Sequence, residues 1–446
     1  MRCFLTTSAL ALATVLSTGF GPPARAGDPA LATAISRHYD SHLGALFVHF
    51  HQNPELSYRE VRTAARIARE LKALGVQVTE GVGGTGVVGV IRNGSGPTVL
   101  LRADMDGLPV VEQSGLPYAS TARQVDINGL DMPVMHACGH DVHITALVGT
   151  AKQLMDRRDQ WAGTVVLVAQ PAEERIGGAR KMLDDGLYAR FPKPDYALAF
   201  HVTAGLPAGQ LLVEPGLIAS SSDSVDITVH GIGAHGASPH MGRDPVVLGS
   251  QIVVALQTLV SREISPLEPG VVTVGAFHSG LKHNIISDRA DLQITVRADS
   301  EKVRQTLLAG IRRIAENAGR MAGLPEDKLP TVTVSTESTP ATINDDSLAR
   351  RMHQRFSDHF GATRLARQPR QGMGAEDFAY FGADPAVKSL YFSVGGTPEA
   401  EITAAGKGGP PVPSHHSPLF RIAPQPSVTT GVEAMTVATL ELLARP

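Results

Sequence analysis

Between Met135 and His143 the chain reads Met-His-Ala-Cys-Gly-His-Asp-Val-His, with three histidines, one cysteine and one aspartate in nine residues. Cys138 and His140 flank a single glycine, Gly139. If the backbone turns there, a thiolate and an imidazole reach one cation. That donor pair favours zinc or another transition ion over magnesium or calcium. The competing readings are a polar loop that happens to be histidine-rich and a buried, inert thiol. Ile144 to Met155 follows directly as an apolar run that reads as a buried helix.

The cysteine gains weight from the start of the chain. Arg2, an apolar small-residue run from about Phe4 to Phe20, and Ala24-Arg25-Ala26 in an A-x-A pattern predict a secretory signal over 1–26, cut near Ala26. The mature protein is then expected in the periplasm or outside the cell, with no membrane attachment once the signal is removed. Only Cys3 and Cys138 are present, so the mature chain would hold Cys138 alone and could form no internal disulfide. Metal ligation would occupy a thiol that an oxidising compartment otherwise exposes to side reactions.

Ligand-type residues recur where other apolar runs stop. Thr98 to Leu101 runs into Arg102-Ala103-Asp104-Met105-Asp106-Gly107, placing Asp104 and Asp106 at a strand end, where open α/β sheets carry their chemistry. Such carboxylates bind metal, hold a ligand histidine or merely cap a turn. Thr164 to Ala169 runs into Gln170-Pro171-Ala172-Glu173-Glu174, two adjacent carboxylates that can divide ligation and proton transfer between them, or simply open the next helix. Tyr196 to Phe200 ends on His201. A Gly/Pro-rich loop over 397–413 delivers His415-His416-Ser417-Pro418. Cys138, His140, Glu174, His201 and one of His415 or His416 exceed the needs of one structural zinc. They fit two divalent ions sharing a ligand, the arrangement used for hydrolysis.

The remainder predicts the fold. The 446 residues suit two domains, and 45 glycines and 30 prolines, dispersed, suit an α/β protein with tight loops. Glu60 to Leu74 has the spacing of an amphipathic helix. Val87 to Ile91 and Thr98 to Leu101 are strand-like, with Asn93-Gly94 a hairpin signal between them. From about Gly216 the texture changes: an alternating strand to His230, an apolar helix over Val246 to Val260, strands at Val271 to Val274 and Ala290 to Ala298, a helix over Glu301 to Ala318 and a strand at Thr331 to Val334. This order predicts a small α+β, ferredoxin-like domain over 219–335, with an exposed sheet face or edge suited to a homodimer. It interrupts an α/β catalytic domain of central mixed sheet and flanking helices, made of 27–218 and 336–446. The net charge of −3 gives no reason to expect nucleic acid. With 5% aromatics and one tryptophan, Trp161, an aromatic-lined glycan or nucleic-acid groove is not expected either.

In order and setting, Arg102 to Asp106, Met135 to Asp141, Gln170 to Glu174, His235 to His240, Gly374 to Phe378 and His416-Ser417-Pro418 resemble the M20 family of metallopeptidases. The branch is that of hippurate hydrolases, aminoacylases and auxin–amino acid conjugate hydrolases, and the resemblance covers almost all of the mature chain. It implies Cys138, His140, Glu174, His201 and His416 as ligands of two divalent ions (zinc, manganese, cobalt or nickel), with Cys138 in place of the wider family's bridging aspartate. It implies Glu173 as general base and Asp106 as a support behind the ligands. It gives the inserted domain dimer contact and lid roles, with His235 donating to the oxyanion and Asn284 and Arg297 holding substrate. Gly107 and Val142 depart from the branch's usual residues beside the metal loops. The implied reaction is hydrolysis of an N-acyl amino acid. A dipeptidase or carboxypeptidase with the same machinery is the nearer rival, and a secreted binding protein on an inactive hydrolase fold the more distant one.

Overall fold

The structure, a computed structural model, describes residues 27–445, so the signal predicted over 1–26 lies outside the described residues. A seven-stranded sheet forms the centre, in the order Gln77–Val82, Gly86–Asn93, Gly163–Gln170, Thr98–Asp104, Tyr196–Pro207, Lys388–Thr397, Leu211–Leu212. Thr98–Asp104 is parallel to both of its neighbours, and Lys388–Thr397 is parallel to Tyr196–Pro207. The outer pairings are antiparallel, so the sheet is mixed.

The inner strands are apolar on both faces, which is why they occupy the middle. Val99, Leu101 and Ala103 turn to one side, where the His140–Asp156 and Pro424–Leu442 helices cover them. Leu100 turns to the other, against Ala179, Met182, Phe378 and Phe381. The same residues explain why the hairpin expected at Asn93-Gly94 does not form. Gly163–Gln170, buried at all but one position, slots between the two strands that the turn would have paired. The Asn93 amide instead donates to the carbonyls of Arg158 and Trp161, tying the strand end to the approach of that intervening strand.

Two further expectations are corrected. His201 does not end its strand, because pairing with Lys388–Thr397 carries Tyr196–Pro207 onward past it. The Gly/Pro-rich stretch after Thr397 is not all loop, because Glu399–Gly406 forms a helix ahead of the glycines and prolines.

Gly216–Ala219 and Thr342–Asn344 pair side by side where the chain leaves and re-enters the main body. Between them lies a smaller inserted domain. Its antiparallel four-stranded sheet has the order Gly270–Ser279, Arg289–Ala298, Ser221–His230, Thr331–Thr339. Alternation in Ser221–His230 sends Val225, Ile227 and Val229 inward. There they meet Leu248 and Ile252 of the Pro245–Thr258 helix and Leu307 and Ile311 of the Glu301–Met321 helix.

Candidate metal centre

The parallel strands end together, with Asp104 opposite Gln170, and the chain turns just beyond them carry the polar residues. Asp106 organises these turns. Its Oδ1 accepts the Glu173 N–H at 3.1 Å, and its Oδ2 accepts the Glu174 N–H at 3.0 Å and the Ser57 hydroxyl at 2.7 Å. Its main-chain oxygen meets His140 Nδ1 at 2.9 Å. One residue thereby orients both glutamates and a histidine. Buried Glu60 steadies the same turn by accepting the Ala172 N–H at 2.8 Å.

The backbone here is strained. Ala172, Ile176 and His416 have φ of 49°, 50° and 65°, a region that non-glycine residues adopt only when their surroundings force it. Gly139 has φ 85°, and a Cβ on it would lie 2.3 Å from Val202 Cγ1. Only glycine lets Cys138 and His140 face one point before the His140–Asp156 helix begins.

Two groups of donor atoms converge and share Cys138. Cys138, His140 and His201 form one, and Cys138, Glu174 and His416 the other; within each, the donor atoms lie within 4.8 Å of one another. Cys138 Sγ is 3.4 Å from His201 Nε2. His416 Nε2 is 3.5 Å from Glu174 Oε2, and His140 Nε2 is 3.8 Å from Glu174 Oε1. Two ligands about 2.0–2.3 Å from one tetrahedral ion stand roughly 3.3–3.8 Å apart, so these separations suit donors around a cation. His140 Nε2 and Glu174 Oε1 are buried without a hydrogen-bond partner, a cost that a cation in each group would remove. His201 Nδ1 faces its neighbour's carbonyl, Val202 O, at 2.6 Å, which places the proton there and leaves Nε2 as a lone pair.

His415 and His416 separate on the same reasoning. His415 Nε2 accepts the Ala204 N–H at 3.0 Å, so its proton sits on Nδ1, which points at Cys138 Sγ from 3.7 Å. Both of its nitrogens are engaged, whereas His416 offers Nε2 to the second group of donors.

Two other sets of polar side chains nearby, Asp104 with His143 and Glu376 with Asp377, are committed to the protein itself. His143 Nε2 accepts the Val202 N–H at 2.9 Å while Nδ1 meets Asp104 Oδ1. Glu376 and Asp377 bind Arg102, which is fully buried and also pairs with Asp104 at 2.7 Å. Tyr391 and Gln170 complete their coordination. These residues form a wall behind the donors.

The donor set carries more negative than positive charge. Burial, then Glu174 and Glu173, push the Cys138 thiol well above its ordinary range. Burial, then Glu376 and Glu174, push the Glu173 carboxyl well up. Glu174 rises to about 8, chiefly through burial, with Asp106 and Asp104 adding to it against His140. Divalent ions supply the missing positive charge, so the residues present fit a pair of them. Glu173 stands beside the two groups, its Oε2 3.9 Å from His140 Nε2.

The structure therefore brings together Cys138, His140, Glu173, Glu174, His201, His416 and Asp106. His235, Asn284 and Arg297 make no hydrogen bond or ion pair with them among the described residues. His235 and Asn284 are exposed in the inserted domain, where the Gly236 N–H donates to Asn284 O at 2.9 Å. Arg297 lies on that domain's sheet, between Ser222 and Val271. In the sequence, Arg102, Glu376 and Asp377 stand out only as parts of motifs. A lone arginine inside an apolar strand was the available signal that buried acids would surround it.

A shared thiolate, flanking imidazoles and carboxylates, and an adjacent acid with a raised pKa define a metal-dependent hydrolase. The chain belongs to peptidase family M20/M25/M40, whose sequence pattern matches residues 100–405. It is 37% identical over 385 residues to the putative amidohydrolase YhaA of Bacillus subtilis, covering 86% of this chain and 90% of that protein. It is 37% identical over 335 residues to a hippurate hydrolase of Campylobacter jejuni, covering 74% and 82% respectively. The crystal structure of the Bacillus subtilis YXEP protein, described as a dinuclear metal-binding peptidase, superposes with a TM-score of 0.71 at 27% identity. The match covers 93% of this chain and 99% of that one.

Proposed function

We propose that the protein hydrolyses the amide bond of N-acyl amino acids. Cys138, His140 and His201 would hold one divalent ion, and Glu174 and His416, with Cys138, would hold a second; zinc, manganese, cobalt and nickel all suit this donor set. Such ions, when bound, polarise the scissile carbonyl and acidify water. Glu173 carries the reading: it is buried, its Oε2 lies 3.9 Å from His140 Nε2, and neither group that shares Cys138 needs it as a ligand, which leaves its carboxylate for proton transfer. It takes the proton of the attacking water and passes it to the leaving nitrogen. Asp106 keeps the Glu173 backbone in register for both transfers.

His235 donates to the oxyanion, and Asn284 and Arg297 engage the substrate's amino-acid half, once the inserted domain stands over the metals. We read that domain, over 219–335, as ferredoxin-like, supported by its strand order and its β-α-β-β-α-β sequence of elements. The catalytic domain is then 27–218 with 336–446. The inserted domain also makes a homodimer contact, for which the exposed Val246, Val247 and Val254 of the Pro245–Thr258 helix are suited. The mature enzyme works in the periplasm or outside the cell. The similarity to a hippurate hydrolase supports an N-acyl amino acid over a free dipeptide.

The test is an assay of protein loaded in turn with zinc, manganese, cobalt and nickel against N-acyl amino acids and dipeptides. Turnover is expected on acyl amino acids. Turnover confined to peptides with a free amino group makes the enzyme a dipeptidase, and none on any amide contradicts the reading.

A further inference from the structure

The turn that carries Glu173 and Glu174 is fastened on either side of Arg175, Ile176 and Gly177. Asp106 holds the Glu173 and Glu174 N–H groups before them, and Asp377 Oδ2 accepts the Ala179 N–H at 3.0 Å after them. Ile176 has φ 50°, a conformation that a β-branched residue holds only under constraint. Its N–H donates to Glu173 O at 2.6 Å, so the strained residue is tied to the peptide group of Glu173. Among the described residues, the one ion pair that reaches this stretch comes from the inserted domain: the Arg175 guanidinium pairs with Glu337. Arg175 Nε is buried without a hydrogen-bond partner. The side chain therefore lies where Glu337 draws it, not where all of its own donors are satisfied.

Glu337 is itself aimed. It belongs to the Thr331–Thr339 strand of the inserted domain's sheet, whose pairing with Ser221–His230 shifts between Asp223–Ser338 and Val225–Val334. Ser335, Thr336 and Glu337 there stand against the single residue Ser224, and the Glu337 N–H donates to Ser335 Oγ at 3.1 Å. A bulge of this kind bends its strand and redirects a side chain. Directly after it the strand is bolted to the catalytic domain. The Tyr380 hydroxyl donates to Ser338 O at 2.6 Å, and the Thr339 hydroxyl to Glu376 O at 3.3 Å. A swing of the inserted domain about these bolts would move Glu337 and, with it, Arg175.

We propose, on the reading of Glu173 as the proton-transfer group in amide hydrolysis, that Glu337 is a positioning residue. Through Arg175 it holds the Glu173–Ile176 turn in its strained form, so the stance of the inserted domain sets the aim of the Glu173 carboxylate. Without the pair, Ile176 relaxes toward negative φ, its hydrogen bond to Glu173 O breaks and the Glu173 peptide group rotates. Both partners are partly exposed, so the pair adds little to global stability. Its effect is on geometry at the base, where a displacement of roughly 1 Å can cost about a hundredfold in rate.

The experiment compares the wild type, Glu337→Arg and the swapped pair Arg175→Glu/Glu337→Arg, at saturating metal, in kcat and KM for one N-acyl amino acid. Glu337→Arg should lower kcat by at least about tenfold and change KM by less than about twofold, and the swap should recover most of the loss. An unchanged kcat in Glu337→Arg, a change carried by KM alone, or a swap as impaired as the single variant overturns the proposal.

Hydrogen exchange of the amides in 172–178, followed by mass spectrometry, reads the turn independently of turnover. It should be at least about fivefold faster in Glu337→Arg and return toward the wild-type rate in the swap, with the Gly163–Gln170 strand unchanged in all three proteins. That pattern, with no amide turned over by the wild type, contradicts the hydrolysis reading alone. Equal exchange of 172–178 in the wild type and Glu337→Arg, with amides turned over, contradicts the positioning role alone.

Discussion

His415 and His416 are adjacent and chemically identical, and their surroundings give them different tasks. The Ala204 N–H fixes the tautomer of His415 and turns its proton toward Cys138. The left-handed backbone at His416 swings its ring to Glu174. His416→Ala should lose one bound ion of two and at least about a hundredfold in kcat, on the scale of changes seen when a metal site is disturbed. His415→Ala should keep both ions and shift the thiolate-to-metal charge-transfer band of the cobalt-loaded protein. Loss of an ion from His415→Ala, with retention in His416→Ala, would reverse the assignment. The sequence left this choice open because adjacency conceals backbone direction, and nothing in the letters forces φ at His416 to be positive.

His51 offers a residue-scale test in stability. Burial lowers its pKa, but hydrogen bonds to Asp141 at 2.7 Å and Glu112 at 3.1 Å outweigh that and raise it from 6.5 to about 9. A group with a raised folded pKa contributes stability that is fully present below its unfolded pKa and lost as pH climbs through the folded one. Stability should therefore fall between about pH 6.5 and 9, and His51→Gln should flatten that decline. A melting curve against pH with the same slope in both proteins would show that His51 does not carry the charge.

At the scale of elements, the turn after Gly163–Gln170 is held by Asp106 more than by its own residues. Asp106→Asn replaces an acceptor with an N–H₂ group facing backbone N–H groups. It should cost about 1–3 kcal/mol of stability, as for a buried polar group left unsatisfied, measured by urea unfolding. It should also lower kcat more than it raises KM. An unchanged kcat would mean that the glutamates hold their positions without it. Strand positions were legible in the sequence because the apolar runs are long and end on Asp104 and Gln170. Strand order was not: the neighbours of Gly86–Asn93 are fixed by long-range packing, and a local turn signal such as Asn93-Gly94 carries no information about an intervening strand.

Across the whole molecule, the candidate metal donors come from four segments far apart in sequence, Cys138 with His140, Glu174, His201 and His416, gathered where the central strands run out. Their residue types were readable because cysteine, histidine and paired acids are conspicuous after apolar runs. The wall of Arg102, Asp104, Glu376 and Asp377 was less readable, since an acid bound to a buried arginine looks in sequence like any other acid. The inserted domain was legible as a change of texture. The relation of His235, Asn284 and Arg297 to the metals depends on how that domain is placed over the centre, which residue patterns do not encode.

In the proposed centre, Cys138 is shared by two ions while Glu173 is reserved for the proton. Metal content per chain, measured together with turnover for the wild type, Cys138→Ala and Glu173→Gln after loading and dialysis, tests it most directly. Two ions are expected in the wild type, two ions with at least about a thousandfold loss of kcat in Glu173→Gln, on the scale of removing a general base, and depleted metal in Cys138→Ala. Metal loss from a folded Glu173→Gln, or two tightly held ions in Cys138→Ala, would contradict it.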